Sequence, residues 1–204
     1  MLDVKELHLL RAGQVWRYNF QVPRGTGLAL MGQSGAGKTS LLECLGGFLP
    51  AQSGQILLDS VPIHGLPPEQ RPTSTLFQDH NLFEHLTVAQ NLALGFQQGK
   101  PSPAQWARLQ AACEVLDVVS YWSRLPSALS GGQRQRVALI RTVLREQPVI
   151  LLDEPFSALD DGSRERAGAW VQDEIRRARK VLVFVTHQQA DAERWAEQVV
   201  EVTT

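Results

Sequence analysis

The stretch Leu28-Ala29-Leu30-Met31-Gly32-Gln33-Ser34-Gly35-Ala36-Gly37-Lys38-Thr39 decides the fold. Leu28 to Met31 is apolar and uncharged and reads as a short buried strand. The glycines at 32, 35 and 37 end it, and a helix follows from Lys38 to about Gly46. Such glycines let the backbone curl until successive N–H groups point inward, and the helix dipole adds positive potential at the same place. This is a cradle for phosphate. Lys38 reaches the β- and γ-phosphates of a nucleotide, and the Thr39 hydroxyl takes one position on Mg²⁺. A plain glycine turn is the bland alternative, but a strand before the loop and a helix after it supply the context the phosphate reading needs. The candidate nucleotide-binding residues here are Gly32, Gln33, Ser34, Gly35, Ala36, Gly37, Lys38, Thr39 and Ser40.

Working outward, strand-like and helix-like pieces alternate, which predicts an α/β fold with a largely parallel sheet. Leu2 to Leu9 and Gln14 to Val22 read as strands, and Trp16, Tyr18, Phe20 and Val22 share one face of the second. Ile56 to Leu58, Thr73 to Phe77, Val149 to Leu152, Val181 to Val185 and Val199 to Val202 read as further strands. From Thr87 to Trp122 the pattern turns helical, with Pro101 and Pro103 marking a helix start. Helices follow at about 132–145, 164–178 and 188–197. The chain is expected to be one domain over 1–204, with a helical subdomain at about 87–135 inserted between sheet strands.

Composition sets the outer limits. With 204 residues and 43% hydrophobic residues the chain can bury a core of its own. A formal net charge of -1 offers no global attraction to nucleic acid or anionic lipid. The basic cluster Arg176, Arg177, Arg179 and Lys180 reads as the solvated end of a helix, with Asp173 and Arg177 one turn apart. Cys44 and Cys113 are too few for a disulfide framework, and Cys44 reads as a small core residue. The N-terminal MLDVKELHLL has no signal-peptide pattern, and no apolar run is long enough to span a bilayer.

Asp153 ends the apolar run Val149 to Leu152, which places its carboxylate at the carboxyl edge of a sheet, where nucleotides bind in open α/β folds. There it can hold Mg²⁺ through water. Glu154 is next to it, placed to orient or deprotonate an attacking water, and Pro155 stops the strand.

The segment LSGGQ at Leu129 to Gln133, between the phosphate loop and VILLDE, carries a resemblance: the chain resembles the nucleotide-binding subunits of ATP-binding-cassette transporters. The resemblance covers nearly the whole chain and implies a P-loop fold of that type: a mixed sheet, an antiparallel β subdomain and a helical insertion. It implies ATP hydrolysis with ATP and Mg²⁺ as the bound species. Gln78 in LFQD matches the glutamine that touches Mg²⁺ and the water. Ser157 to Asp160, SALD, matches the loop that crosses between subunits, and His187 in VTHQ the switch histidine on the γ-phosphate. In this family two subunits pack head to tail, so Ser130, Gly131, Gly132 and Gln133 would act in trans on the partner's ATP, with Asp160 at the crossing. The catalytic set is then Glu154, His187 and Gln78, and the metal set Thr39, Gln78 and Asp153.

FQDHNLFEHLTVAQNLALG and the stretch from Leu125 through Asp160 resemble bacterial importer ATPases, most closely those of thiamine-type uptake systems. This implies a homodimer on ATP, a transmembrane permease as partner, a periplasmic or extracellular solute-binding protein indirectly, and a place on the cytoplasmic face of the cell membrane. No nucleic-acid partner is implied. Phe83, Leu86 and Val88 are candidates for the groove that grips a permease helix, and equally for core. Two other readings stay open: a cassette ATPase of a lipoprotein-release or cell-division complex, and a nucleic-acid-associated cassette. The chain departs from the family twice. Family members place an aromatic residue 25 to 30 residues ahead of the phosphate-loop lysine to stack on adenine, a register that here falls on Leu9, Leu10 and Arg11. Arg11 can stack its guanidinium instead, Trp16 can be brought in by a different hairpin, or the contact is simply lost; selectivity for ATP over GTP is then open. The family also continues beyond the last strand with a closing hairpin, where this chain ends at Thr204, which is expected to weaken the fold's edge or the dimer.

Overall fold

The described residues form nine strands and six α-helices; eight of the strands fall on the stretches read as strands from the sequence, and the two-residue strand Val61–Pro62 is too short to carry a pattern. The structure is a computed structural model that describes residues 1–79 and 81–202. His80, within the importer-like stretch, and the terminal Thr203 and Thr204 lie outside the described residues. Packing divides the chain into two units. The first holds the residues up to Thr75, Gln147–Glu154 and those from Ile175 onward; the second holds Leu76–Glu146 and Pro155–Glu174.

The first unit contains two sheets. Strands β1 (Leu2–Arg11), β2 (Gln14–Val22), β4 (Ser53–Leu58) and β5 (Val61–Pro62) form an antiparallel sheet in the order β2-β1-β4-β5. β2 alternates as its sequence requires: Trp16, Tyr18 and Val22 are buried, Phe20 on the same face is half-buried against the core, and Arg17, Asn19 and Gln21 are exposed. The second sheet runs β6-β7-β8-β3-β9, from β3 (Gly27–Met31), β6 (Thr73–Leu76), β7 (Val149–Asp153), β8 (Val181–Val185) and β9 (Gln198–Glu201). Its pairs β7–β8, β8–β3 and β3–β9 are parallel. All five residues of β7 and of β8 are buried, the continuous apolar run expected of a parallel strand covered on both faces. Helix α1 (Lys38–Leu45) packs against β7 and β8, and α6 (Gln189–Trp195) against β3. Leu41, Leu42 and Leu45 of α1 join Leu28, Leu30, Val149, Leu151 and Val183 in one core, where each buried aliphatic side chain contributes about 2 kcal/mol. Cys44 belongs to that core, and burial pushes its thiol up to about 11.

The second unit is helical: α2 (Val88–Ala93), α3 (Pro103–Val115), α4 (Gly131–Leu144) and most of α5 (Asp161–Arg177). Helices α2 and α3 both pack on α4. The expected helical stretch from Thr87 to Trp122 is interrupted, because Gln98 and Gly99 take left-handed conformations and Pro101 brings no N–H to continue a helix. Three helices in this unit begin with a capping box. Thr87 with Gln90, Ser102 with Gln105 and Ser130 with Gln133 each exchange side-chain and backbone bonds at α2, α3 and α4.

A buried polar hub holds the segment after Gln78. Asn91, with no exposed surface, accepts from the Phe83 N–H at 2.9 Å and donates to the carbonyls of Phe83, Leu86 and Thr87 at 3.1, 2.9 and 3.1 Å. Arg141 of α4 donates to Asn91 Oδ1 and to the Asn81 carbonyl, with its guanidinium 5.5 Å from the Phe83 ring centroid. Val88 is core, whereas Phe83 is half exposed.

Lys180 corrects the reading of the basic cluster. It is buried at the entrance to β8, while Arg176, Arg177 and Arg179 are exposed and Arg176 pairs with Glu197. Among the described residues no helix is long and apolar enough to cross a membrane.

Candidate functional site

In the first unit the carboxyl ends of β3 and β7 and the start of α1 bring the phosphate loop, Asp153, Glu154 and His187 together. Gly32, Gly35 and Gly37 have φ values of 138°, 82° and 96°, the left-handed curl that turns the loop inward. Gly37 cannot be replaced for a second reason: a Cβ there would lie 2.6 Å from Cε2 of Trp16. The Lys38 amine donates to the carbonyls of Gly32 and Gln33 at 2.8 and 2.7 Å, so it reaches back across the mouth of the loop. Burial lowers its pKa, and the nearby Glu154 and Asp153 carboxylates oppose that shift.

The Thr39 hydroxyl donates to Asp153 Oδ2 at 2.8 Å. Asp153 is buried at the end of β7, and burial raises its pKa while the Thr39 bond lowers it. A hydroxyl and a carboxylate side by side are hard oxygen donors, the set that suits Mg²⁺, which takes one or two protein oxygens and fills the rest with phosphate and water. Glu154 follows in a left-handed conformation, φ 48°, with its N–H on the Val185 carbonyl at 3.2 Å. A non-glycine residue in that region is strained, and strain of this kind collects at functional sites. Its Oε1 lies 2.6 Å from His187 Nε2, on the segment that follows β8.

Arg11, at the end of β1, donates to Ser40 Oγ at 3.3 Å and to Glu43, both on α1, with half of its side chain exposed. Trp16 is 5% exposed and packed under Gly37, so its ring is not presented at the surface. Sequence reasoning missed the support this ring and Tyr18 give the loop. Their shared face on β2 was legible, but nothing in the sequence says which segment that face covers.

The second unit carries Gln78, the LSGGQ segment and SALD. Gln78 is exposed. Ser130 is the N-cap of α4: its Oγ accepts from the Gln133 N–H at 3.3 Å, and Gln133 Oε1 accepts from the Ser130 N–H at 2.9 Å. Gly131 and Gly132 are the first helical residues, whose N–H groups have no partner inside the helix. Gly132 packs tightly on the turn at SALD, since a Cβ there would lie 2.8 Å from the Ala158 carbonyl oxygen. Gln135 joins the same two segments, with its Oε1 accepting from the Ala158 N–H at 2.9 Å and its Nε2 3.4 Å from Ser157 Oγ. Gln135 also escaped the sequence reading, because a polar residue on a helix carries no mark of its partner. Asp160 Oδ1 accepts from the Ser163 N–H at 2.9 Å, a bond that starts α5 and holds this exposed carboxyl below its ordinary pKa.

Residues 15–157 match the family described as ABC transporter. The chain belongs to that family. It is 44% identical over 203 residues to the thiamine import ATP-binding protein ThiQ of Shigella sonnei (strain Ss046), covering 99% of this chain and 88% of the relative. To the protein of the same name from Escherichia coli (strain K12) it is 43% identical with the same coverage. Among solved structures it is similar to an ATP binding subunit of an ABC transporter, with TM-score 0.87, 26% identity, and coverage of 99% and 85% of the two chains. A dimeric ATP-binding cassette in a post-hydrolysis state, bound to ADP and Pi, matches with TM-score 0.82, 25% identity, and coverage of 100% and 94%. The cassette is thus an ATPase of this family, with the α/β architecture its sequence predicts.

Proposed function

We propose that this chain is the ATP-hydrolysing subunit of an importer that takes up thiamine or a related small molecule through a separate permease. The import reading is supported by relatives named for thiamine import that align with nearly the whole chain. The hydrolytic reading rests on one observation: Glu154 lies between Asp153, which is bonded to Thr39, and His187, 2.6 Å from its own carboxylate.

Each residue then has a task. The loop from Gly32 to Ser40 holds the phosphates through its backbone N–H groups, and Lys38 trades its two carbonyl partners for phosphate oxygens. Thr39 and Asp153 would hold Mg²⁺, with Gln78 assigned to the same ion and to the water by resemblance. Bound there, the ion neutralises charge on the transferred phosphoryl group. Glu154 takes the proton of the attacking water, and His187 orients it and contacts the γ-phosphate. Arg11 lays its guanidinium on the base, and because a cation over a ring recognises any purine face, GTP competes with ATP. Gly131 and Gly132 of a second copy bind the γ-phosphate with their open N–H groups, with Ser130, Gln133 and Asp160 shaping that surface.

The chain forms one domain with its helical part inserted in the core, and works as an ATP-bound homodimer on the cytoplasmic face of a bacterial cell membrane. A solute-binding protein outside delivers the cargo. Phe83, held by Asn91 and Arg141, faces the permease. Closure on ATP moves the permease helices and hydrolysis resets the pair.

Sedimentation of Glu154→Gln with and without Mg-ATP tests the pairing. An ATP-dependent dimer is expected, and a monomer at saturating Mg-ATP overturns the trans assignment. Labelled-thiamine uptake by cells in which this variant replaces the wild-type chain tests the cargo: uptake is expected to stop, and unchanged uptake removes thiamine.

A further inference from the structure

We infer that Tyr18 and Trp16 are positioning residues for ATP binding: from β2 they fix the Gly37–Lys38 peptide so that the Lys38 N–H faces into the phosphate loop. The inference rests on reading residues 32–39 as the loop that holds ATP.

The two side chains are two residues apart on one strand and therefore project from the same face. They are anchored through the pairs Leu9 with Trp16 and Leu7 with Tyr18 between β1 and β2, and each is 5% exposed. The Tyr18 hydroxyl donates to the Gly37 carbonyl at 3.1 Å. That oxygen also accepts the Leu41 N–H at 2.9 Å, the first bond of α1. In a trans peptide the C=O and N–H point in opposite directions. Two donors holding the Gly37 oxygen on the helix side therefore aim the Lys38 N–H the other way, out of the helix start and into the loop.

Trp16 fixes the other half of the same unit. A Cβ on Gly37 would lie 2.6 to 2.8 Å from Cε2, Cδ2 and Nε1 of the indole, so the Gly37 Cα rests directly on the ring. The ring blocks rotation of a residue that already sits at φ 96° and ψ 7° without a side chain to brace it. The buried indole N–H has no partner among the described residues, so Trp16 is held by packing alone. Burial raises the pKa of the Tyr18 phenol, which keeps the proton it donates. None of these groups touches the reacting atoms. Their effect passes through one backbone N–H.

The test compares Mg-ATP binding and steady-state hydrolysis by wild type and Tyr18→Phe, which keeps the ring and removes only the donor. Dissociation constant and KM are expected to rise about fivefold together, the effect of one hydrogen bond. With ATP saturating, kcat is expected to stay within about twofold, because the loop is then held by its ligand. A Tyr18→Phe protein with unchanged affinity, or with kcat falling as far as KM rises, overturns the inference. Tryptophan emission supplies an independent readout. Wild type is expected to change emission on adding Mg-ATP and Trp16→Phe to lose that change; an identical change in both overturns the role of Trp16. If wild type itself fails to bind Mg-ATP, or Lys38→Ala binds as well as wild type, the phosphate-loop reading fails instead.

Discussion

Two helix starts, one in each unit, solve the same problem differently. Helix α4 begins at Ser130, whose side chain and that of Gln133 close a capping box. Helix α1 begins at Gly37, which has no side chain to cap anything. A capped start keeps its turn by local bonds, so the LSGGQ helix start is closed by its own sequence, and Gly132 and Gln135 then seat it on the turn at Ser157 and Ala158. An uncapped start leaves its N–H groups for an anion and takes its shape from Trp16 and Tyr18 on a distant strand. The turn that opens the phosphate-loop helix is therefore held by tertiary contacts, and the turn that opens the signature helix by a local cap.

The sharpest break should come in the first unit. Glu154→Gln is expected to lower kcat by about a thousandfold while ATP still binds, as for loss of a general base; a near wild-type rate removes Glu154 from that role. Lys38→Ala acts on binding instead, raising the Mg-ATP dissociation constant by about a hundredfold through lost charge-assisted bonds, as calorimetry would read. In the second unit Gly132→Ala drives a Cβ against the Ala158 backbone oxygen, and about 2 kcal/mol of stability should go with it. Its signature is selective: ATP affinity of the monomer stays at the wild-type value while the ATP-induced dimer is lost in sedimentation. Loss of monomer affinity would erase the contrast between the units.

Ser130→Ala removes only the cap, for about 1 kcal/mol in thermal or denaturant unfolding. The smallest effect is with Asp59, between β4 and β5. Hydrogen bonds from Arg24 and the N-terminal ammonium lower its pKa to about 2. A depressed pKa stabilises the fold above the ordinary carboxylate value, and this contribution is lost as pH falls through about 2. Asp59 is largely exposed, so screening holds the effect below about 1 kcal/mol. Asp59→Asn should flatten the acid limb of the unfolding curve by no more than that.

Legibility followed how local each feature is. The strand, loop and helix around Gly32 were readable because apolar periodicity and glycine spacing are local, and the same holds for β7 ending in Asp153. The interruption between α2 and α3 was only half legible: Pro101 and Pro103 marked the restart, while the left-handed Gln98 carries no sequence signal. Lys180 was misread because a lysine in a basic run looks solvated until the strand beginning at Val181 draws it inward. Asn91 reads as an ordinary helix residue, yet one buried amide ties the Phe83 loop through four hydrogen bonds to Phe83, Leu86 and Thr87.

By itself the sequence determined the order of elements, the phosphate loop, the acidic pair at the end of β7 and the LSGGQ helix start, since each rests on residues within a turn or two of one another. Tertiary structure alone decided that Thr39 meets Asp153 across 114 positions, that Glu154 meets His187, and that Tyr18 reaches the Gly37 carbonyl. Those contacts depend on which strands become neighbours, a choice made by burying the whole apolar set at once and invisible in any single segment.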